Sequence, residues 1–386
     1  MGGLIIRPRS RVFHGHDWVY QSEIQKTFGD PKPGDVVTLK DFRDRPLGVA
    51  IYNPESQIVA RRFSRRKQQL DLPFFIRRIE HAIRMRERSH VSQSLRRVVW
   101  SESDGLPGVI IDQYNDNIIL QTLTKAMDQR WELIVEAIKV TLAPKSIILR
   151  NDSTIRKAEG LEEVVKVVYG EDPEPFEVED NGVKFFVDLS VGQKTGLYLD
   201  QLDTYREVAK YAKGLKVLDC FSNQGGFGLA CAQAGAAEVT CVDISESAIQ
   251  SVQKNAELNG LEVKGVVANV FDFLSRCEEK YDLIILDPPS FAKNKKSLVG
   301  AMRGYKEIHL RSLKLLENDG FLATYSCSHH VTRDVFNKMI VDATVDAKKT
   351  LRLLENHGQR LDHPILPTIP ETEYLKGAVY QLLPSK

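Results

Sequence analysis

From Lys216 onward the sequence settles into a rhythm that permits few folds. Short apolar or β-branched runs at Lys216–Phe221, Glu238–Ile244, Val263–Ala268, Tyr281–Asp287, Phe321–Ser326 and, after a long break, Ala378–Leu383 alternate with helix-length stretches. Such alternation predicts a parallel sheet covered by helices on both faces. Open sheets of this kind bind ligands beyond the carboxyl ends of their strands. The residues that close each predicted strand are therefore the first place to look for chemistry.

The chain has 386 residues, more than one hydrophobic core usually organises, so further domains are expected. Between Gly34 and Phe63 the runs Asp35–Leu39, Pro46–Tyr52 and Gln57–Phe63 are divided by turn residues, which predicts a small β-rich domain over 1–68. A helix over Pro73–His90 follows, with Phe74, Phe75, Ile79 and Ile83 at helical spacing and arginines on the remaining face. Strands at Arg97–Ser101, Gly108–Gln113 and Ile118–Thr122, a helix over Met127–Thr141 and a strand at Ser146–Arg150 predict a compact α/β domain, so that linker helix and domain together span 69–175. The proline-containing stretch Glu171–Pro175 ends it, and 176–386 is the third part. Apolar runs such as Leu283–Leu286 are far too short to cross a bilayer, and the N-terminus shows no secretory h-region, so a cytoplasmic protein is expected.

Charge is unevenly distributed. Residues 1–100 carry 20 Lys and Arg against 10 Asp and Glu, whereas the remainder carries 33 against 42. A basic front joined to an acidic back suits a polyanion-binding module on a separate domain, although a solvated basic surface has the same composition. The five cysteines, Cys220, Cys231, Cys241, Cys277 and Cys327, show neither Cys-x-x-Cys nor zinc-like His spacing, so no metal is expected. An odd count also argues against a disulfide framework.

The first strand of the repeating region leads into Asp219-Cys-Phe-Ser-Asn-Gln-Gly-Gly-Phe-Gly228. Glycines at a strand-to-helix crossing allow a ligand to lie against backbone, and the helix N-terminus adds favourable charge. Asp243, closing the second strand before Ile244, is placed to accept bonds from ribose hydroxyls. The loop lacks Gly-x-Gly-x-x-Gly, and Asp219 suits a cationic ligand with a free amino group better than a pyrophosphate. Asn269 and Phe271 end the third strand with an amide and an aromatic face for an adenine. The fourth ends in Asp287-Pro-Pro-Ser-Phe291, an acidic group fixed by prolines to meet a planar base, and the fifth in Ser326-Cys327-Ser328, a candidate nucleophile.

With these residues in view, the chain resembles large-subunit ribosomal RNA cytosine-5 methyltransferases that carry an N-terminal PUA domain. The likeness runs over nearly the whole length. It rests on Arg150-Asn-Asp152 with Arg156 and Glu159-Gly-Leu161, the block Gly192–Gln201, Asp219–Phe227, Asp287–Phe291 and Ser326–Ser328. His16-Asp17-Trp18 departs from the family's frequent His-Pro-Trp, and Gln224 stands where a Thr is frequent. The resemblance implies an α/β protein with a Rossmann-like class I domain that uses S-adenosylmethionine (SAM), an N-terminal PUA RNA-binding domain and a small central α/β domain. It implies cofactor contacts from Lys194, Thr195, Gly196, Asp219, Phe221, Ser222, Asn223, Gly225, Gly226, Asp243, Ile244, Asn269, Phe271, Asp287 and Pro288. Arg7, Arg9, Arg11, Arg61, Arg62, Arg65 and Arg66 would hold ribosomal RNA without selecting sequence.

Cytosine C5 is a poor nucleophile, so the implied chemistry has Cys327 add at C6 while Asp287 holds the base, with an unidentified group removing the C5 proton. Two other readings fit the residues: methylation of a base nitrogen without covalent catalysis, and a non-catalytic SAM-binding assembly protein. The sequence leaves open whether the chain forms a homodimer.

Overall fold

The computed structural model describes residues 2–189, 197–292 and 297–384. Its chain falls into two compact units. The first comprises Met1–Phe176 together with Asp188–Leu199 and Leu361–Thr372; the second comprises Glu177–Val187, Asp200–Arg360 and Glu373–Lys386.

In the first unit, β1 (Gly3–Ile6), β2 (Trp18–Tyr20), β3 (Ile24–Phe28), β4 (Val36–Asp41), β5 (Pro46–Tyr52) and β6 (Ile58–Ser64) form one sheet in the order β2-β6-β5-β4-β1-β3. Helix α1 (Leu72–Arg88) begins where the Asp71 carboxylate accepts the Phe74 N–H at 2.9 Å, with Pro73 in its first turn. A second sheet, ordered β11-β10-β9-β8-β7, is built from β7 (Leu95–Trp100), β8 (Val109–Tyr114), β9 (Asn117–Thr122), β10 (Ser146–Asn151) and β11 (Val164–Tyr169). The short α2 (Lys125–Asp128) and α3 (Trp131–Leu142) lie between its strands in sequence. Phe74, Phe75 and Ile79 of α1 share one buried cluster with Val49 and Phe63 of the first sheet and Val99, Ile111 and Leu120 of the second.

A buried polar frame ties this unit together. Arg86, fully buried, donates to both oxygens of Asp104 and to the carbonyls of Arg97 and Asp362. Asp362 also accepts the Arg97 N–H at 3.0 Å. Glu159 accepts Asn53 Nδ2 at 2.9 Å and the Ser56 hydroxyl at 2.6 Å. Arg156 donates to Asp128 at 2.8 Å and to the Glu162 carbonyl. Each buried charge here is paired, as burial requires.

The second unit begins with a hairpin, β12 (Phe176–Asp180) and β13 (Val183–Val187), and α4 (Leu202–Ala209). Then follow β14 (Lys216–Cys220), α5 (Gly226–Gln233), β15 (Glu238–Asp243), α6 (Glu246–Asn259), β16 (Lys264–Val267), α7 (Val270–Arg276) and β17 (Tyr281–Leu286). It ends with α8 (Leu298–Leu315), β18 (Leu316–Ser326), α9 (Arg333–Asp346), β19 (Thr350–Gly358) and β20 (Lys376–Leu383). The seven strands lie in the order β16-β15-β14-β17-β18-β20-β19. β14 to β18 run parallel, while β20 is antiparallel to both β18 and β19. The order reverses between β14 and β17, which opens the crevice expected of such a sheet.

Four features lie beyond the sequence-based expectation: the strands β1 to β3, the edge strand β11, the hairpin β12–β13, and the edge strand β19. β19 is mostly exposed, with His357 its buried residue, so it lacks the alternation that marks a half-buried strand.

Candidate active site

Register brings the site together. Cys220 of β14 pairs with Leu286 of β17, and Leu286 pairs with Thr324 of β18. The next residues of each strand, Phe221, Asp287 and the Tyr325–Cys327 segment, therefore emerge at one edge. Asp219, Asp243 and Asn269 close or adjoin β14, β15 and β16 at the same edge.

Asp219 is 1% exposed, and its Oδ2 accepts the Gly228 N–H at 2.9 Å. Its Oδ1 is buried with no hydrogen-bond partner, as is the Ser222 hydroxyl. Burial pushes the Asp219 carboxyl up to about 8, and repulsion from Asp287 and Asp243 works in the same direction. A buried acceptor without a donor is costly unless a ligand supplies one. An ammonium group bound at Oδ1 would satisfy it and restore its charge.

The loop after β14 is held in unusual backbone conformations. Phe221 and Asn223 lie at φ 62° and 48°, and Gly225 at 86°. Strain of this kind concentrates where a loop must present its backbone to a ligand. The flanking glycines serve packing. A Cβ on Gly226 would sit 2.4 Å from the Tyr205 ring, and one on Gly228 would sit 2.4 Å from Cys241 Sγ, so both allow α5 to approach its neighbours. Asp243 anchors the loop, accepting the Asn223 N–H at 3.0 Å through Oδ2 and the Ser245 N–H at 2.9 Å through Oδ1. Each of those oxygens retains a lone pair for a hydroxyl. Ile244 is 69% exposed beside it. Asn269 caps α7 by accepting the Phe271 N–H at 2.9 Å. The rings of Phe221 and Phe271 flank that of Phe291, with centroids 6.2 and 6.0 Å away.

Asp287 is half-buried, with Pro288 buried behind it, and its Oδ2 accepts Gln201 Nε2 at 3.1 Å. Gln201 is 3% exposed and closes the Gly192–Gln201 block quoted for the resemblance, which gave it no role of its own. Cys327 is half-buried. The serines on either side are fully buried and locked: the Tyr305 hydroxyl bonds Ser326 Oγ at 3.0 Å and Ser328 Oγ at 3.1 Å, and Ser328 Oγ bonds Ser290 Oγ at 2.9 Å. Burial pushes the thiols of Cys220, Cys231 and Cys241 up, which suits packing rather than reactivity.

Sequence reasoning missed Lys376 as well as Gln201. It is 2% exposed, pairs with Ser326, and donates through Nζ to the carbonyls of Ser328 at 2.8 Å and Tyr374 at 2.7 Å. The antiparallel direction of β20 brings it to this edge, and direction is not written in local pattern.

A profile for S-adenosylmethionine-dependent methyltransferases matches residues 97–376, and one for PUA-like domains matches residues 8–65. A ribosomal RNA large subunit methyltransferase I from Tolumonas auensis is 41% identical over 380 residues, covering 95% of this chain and 96% of that protein. The chain belongs to this methyltransferase family. A relative of the same description from Aeromonas salmonicida is also 41% identical, with 94% of each chain covered. A methyltransferase crystallised with S-adenosylhomocysteine (SAH) superimposes with a TM-score of 0.86 at 25% identity, covering 99% of this chain and 100% of that one. A structure described as a SAM-dependent methyltransferase from Streptococcus mutans gives a TM-score of 0.85 at 24% identity, which bears on fold. SAM is the family's cofactor, and the orphaned Asp219 Oδ1 together with the unengaged Asp243 lone pairs fit its amino and ribose groups.

Lys194, Thr195 and Gly196 lie outside the described residues. Among the arginines expected to hold RNA, Arg7, Arg9, Arg11, Arg65 and Arg66 are exposed. Arg61 and Arg62 are not available for that role, because they point inward to carboxylates. Arg61 pairs with Glu102 at 2.5 Å, and Arg62 with Asp17 at 2.8 Å. A cavity of about 290 Å³ between β12–β13, α4 and α5 is lined by Val183, Phe185, Tyr205 and Ala230. Of the residues predicted for the site, only Gly226 lines it. Among the described residues, no helix is long and apolar enough to cross a membrane, and no group of three or more His, Cys, Asp or Glu is placed to hold a metal.

Proposed function

We propose that this chain forms 5-methylcytidine in large-subunit ribosomal RNA, with Cys327 as nucleophile and Asp287 as the residue that holds the base. The observation that carries the reading is the placing of Asp287 and Cys327 at the ends of the paired strands β17 and β18, beside the Asp219 and Asp243 carboxylates. A nitrogen nucleophile needs no cysteine there, whereas C5 of cytosine does.

Asp219 would accept the cofactor's ammonium and Asp243 its ribose hydroxyls, with Phe221, Ser222, Asn223, Ile244, Asn269, Phe271 and Pro288 around them. Bound SAM supplies an electrophilic methyl group. The Cys327 thiolate would add to C6 of the cytosine, which makes C5 nucleophilic; C5 would take the methyl group with SAH as the leaving group, and loss of the C5 proton to a base would then expel the thiolate. Asp287, steadied by Gln201, faces N3 and the exocyclic amine as charge develops on the ring. A target within paired RNA must be extruded first.

The PUA-like match, the exposed Arg65, Arg66 and Lys67, and the exposed Arg77, Arg84 and Arg88 of α1 support RNA contact by the first unit. The names of the relatives point to large-subunit RNA as the substrate. The test is nucleoside mass analysis after incubating wild type and Cys327→Ala with labelled SAM and unmodified large-subunit RNA. 5-Methylcytidine from the wild type alone is expected. A methylated guanine or adenine, or equal turnover by the variant, would overturn the chemistry; no transfer to any RNA would favour a SAM-binding assembly protein.

A further inference from the structure

Five strands of the second unit deliver their carboxyl ends to the active edge, and β20, running the other way, delivers its first residue. That residue is Lys376, set opposite Ser326 in the antiparallel pair. Its ammonium is fixed by two carbonyls, Ser328 at 2.8 Å and Tyr374 at 2.7 Å, so it is anchored on the backbone of the residue that follows Cys327. A lysine has three N–H donors, and two are spent on this anchoring. No carboxylate neutralises it by a direct ion pair among the described residues. Glu373, the acidic group before it in the chain, is engaged by Arg333 at 3.1 Å.

We propose that Lys376 is the positioning residue that holds Cys327 as a thiolate, its buried ammonium supplying the positive charge that offsets the negative sulfur. The thiol loses its proton to water, and Lys376 keeps all of its own. The inference rests on the reading of Cys327 as the nucleophile, and it adds how that nucleophile is charged before any substrate arrives. Burial pushes the Lys376 amine down to about 8, and the charge of Cys327 acts in the opposite sense, so each group favours the ionised form of the other. Glu373 adds to the hold on the lysine's proton and Arg333 opposes it. Among the described residues, Tyr305 of α8 also interacts electrostatically with the thiol, Asp287 follows the paired strand β17, and His329 and His330 follow Cys327 in its own loop. Tyr305 is spent on Ser326 and Ser328. Among the described residues, Lys376 is a buried cation that the fold fixes at this turn through two carbonyls.

The experiment uses the full chain without RNA or SAM and follows iodoacetamide alkylation of the Cys327 peptide by mass spectrometry across pH, in wild type, Lys376→Met and Lys376→Arg. Peptide resolution separates Cys327 from the half-buried Cys277. The wild-type midpoint is expected below the ordinary thiol value of about 8.5. Lys376→Met should raise it by about one unit and slow alkylation at neutral pH about tenfold, while Lys376→Arg keeps most of the rate. Should Lys376→Met fail to fold, as judged by its thermal melt, Lys376→Gln tests the same loss of charge with an amide that retains donors. A wild-type midpoint at or above about 8.5 overturns the proposal without any variant. So does an unmoved midpoint in a folded Lys376→Met or Lys376→Gln. Because alkylation needs no methyl transfer, a shifted midpoint in a protein that makes no 5-methylcytidine would sustain the Lys376–Cys327 coupling while removing the proposed reaction.

Discussion

Asp219 shows how one buried carboxylate links ligand to stability. Its folded-state value near 8 stands above the ordinary 3.8 of an aspartate, because burial disfavours its charge. The folded chain therefore binds this proton more tightly than the unfolded chain, and unliganded stability falls as pH rises from about 4 to about 8. Asp219→Asn should flatten that fall in thermal melts of the unliganded protein. SAH binding works the other way. On the proposed reading its ammonium meets the ionised Asp219 carboxylate, so calorimetric affinity should rise with pH from about 6 towards about 8, with uptake of the ligand releasing a proton. Asp219→Asn should weaken SAH at least tenfold and abolish that proton release. A variant that binds as tightly as wild type would place the amino group elsewhere. The type and place of Asp219, Asp243, Asp287 and Cys327 were legible from strand ends alone. Gln201 was not, because its role depends on a hydrogen bond to Asp287 across 86 positions of sequence.

Among the elements, the basic end of β6 separates two fates that composition cannot distinguish. Arg61 and Arg62 lie within the strand, and Arg65 and Arg66 just beyond it. Glu102 is held below the usual carboxylate range although burial opposes its charge, because Arg61, Ser101 and Trp18 outweigh that cost. Arg61→Ala would leave this carboxylate buried without its cation, at about 3–5 kcal/mol, and should lower the thermal midpoint sharply. Arg65→Glu with Arg66→Glu should leave the melt unchanged. The double variant should instead weaken RNA binding and reduce the slope of log affinity against log salt by about two. An unchanged slope would remove that segment from the interface. The parallel strands β14, β15 and β17 and the second half of β18 were legible because they are buried along nearly their whole length and read as largely apolar runs. β19 was not, since its exposed residues carry no period, and the reversed direction of β20 follows from a pairing that local sequence does not encode.

At the scale of the whole molecule, the chain does not finish one unit before beginning the next. Residues 188–199 and 361–372 belong with the first unit although sequence on either side belongs with the second. The later segment completes the buried frame: the Asp362 carbonyl takes Arg86 Nη2 at 2.7 Å, and its carboxylate takes the Arg97 N–H at 3.0 Å and the His363 ring at 2.7 Å. Asp362 is fully buried, so Arg86 and the Arg97 N–H each lose this acceptor if the segment leaves. A fragment ending at residue 176 contains both sheets and α1, yet leaves Arg86 short of one acceptor and the Arg97 N–H with none from Asp362. It should therefore be less stable than the first unit within the full chain, and a peptide of residues 361–372 added in trans should raise its thermal midpoint. The same peptide with Asp362→Ala should recover less, by about 1–3 kcal/mol in the coupled equilibrium, because the carbonyl bond survives and the carboxylate bonds do not. If the fragment alone melts as the unit does in the intact protein, the returning segment contributes no stability and the frame around Arg86 closes without it.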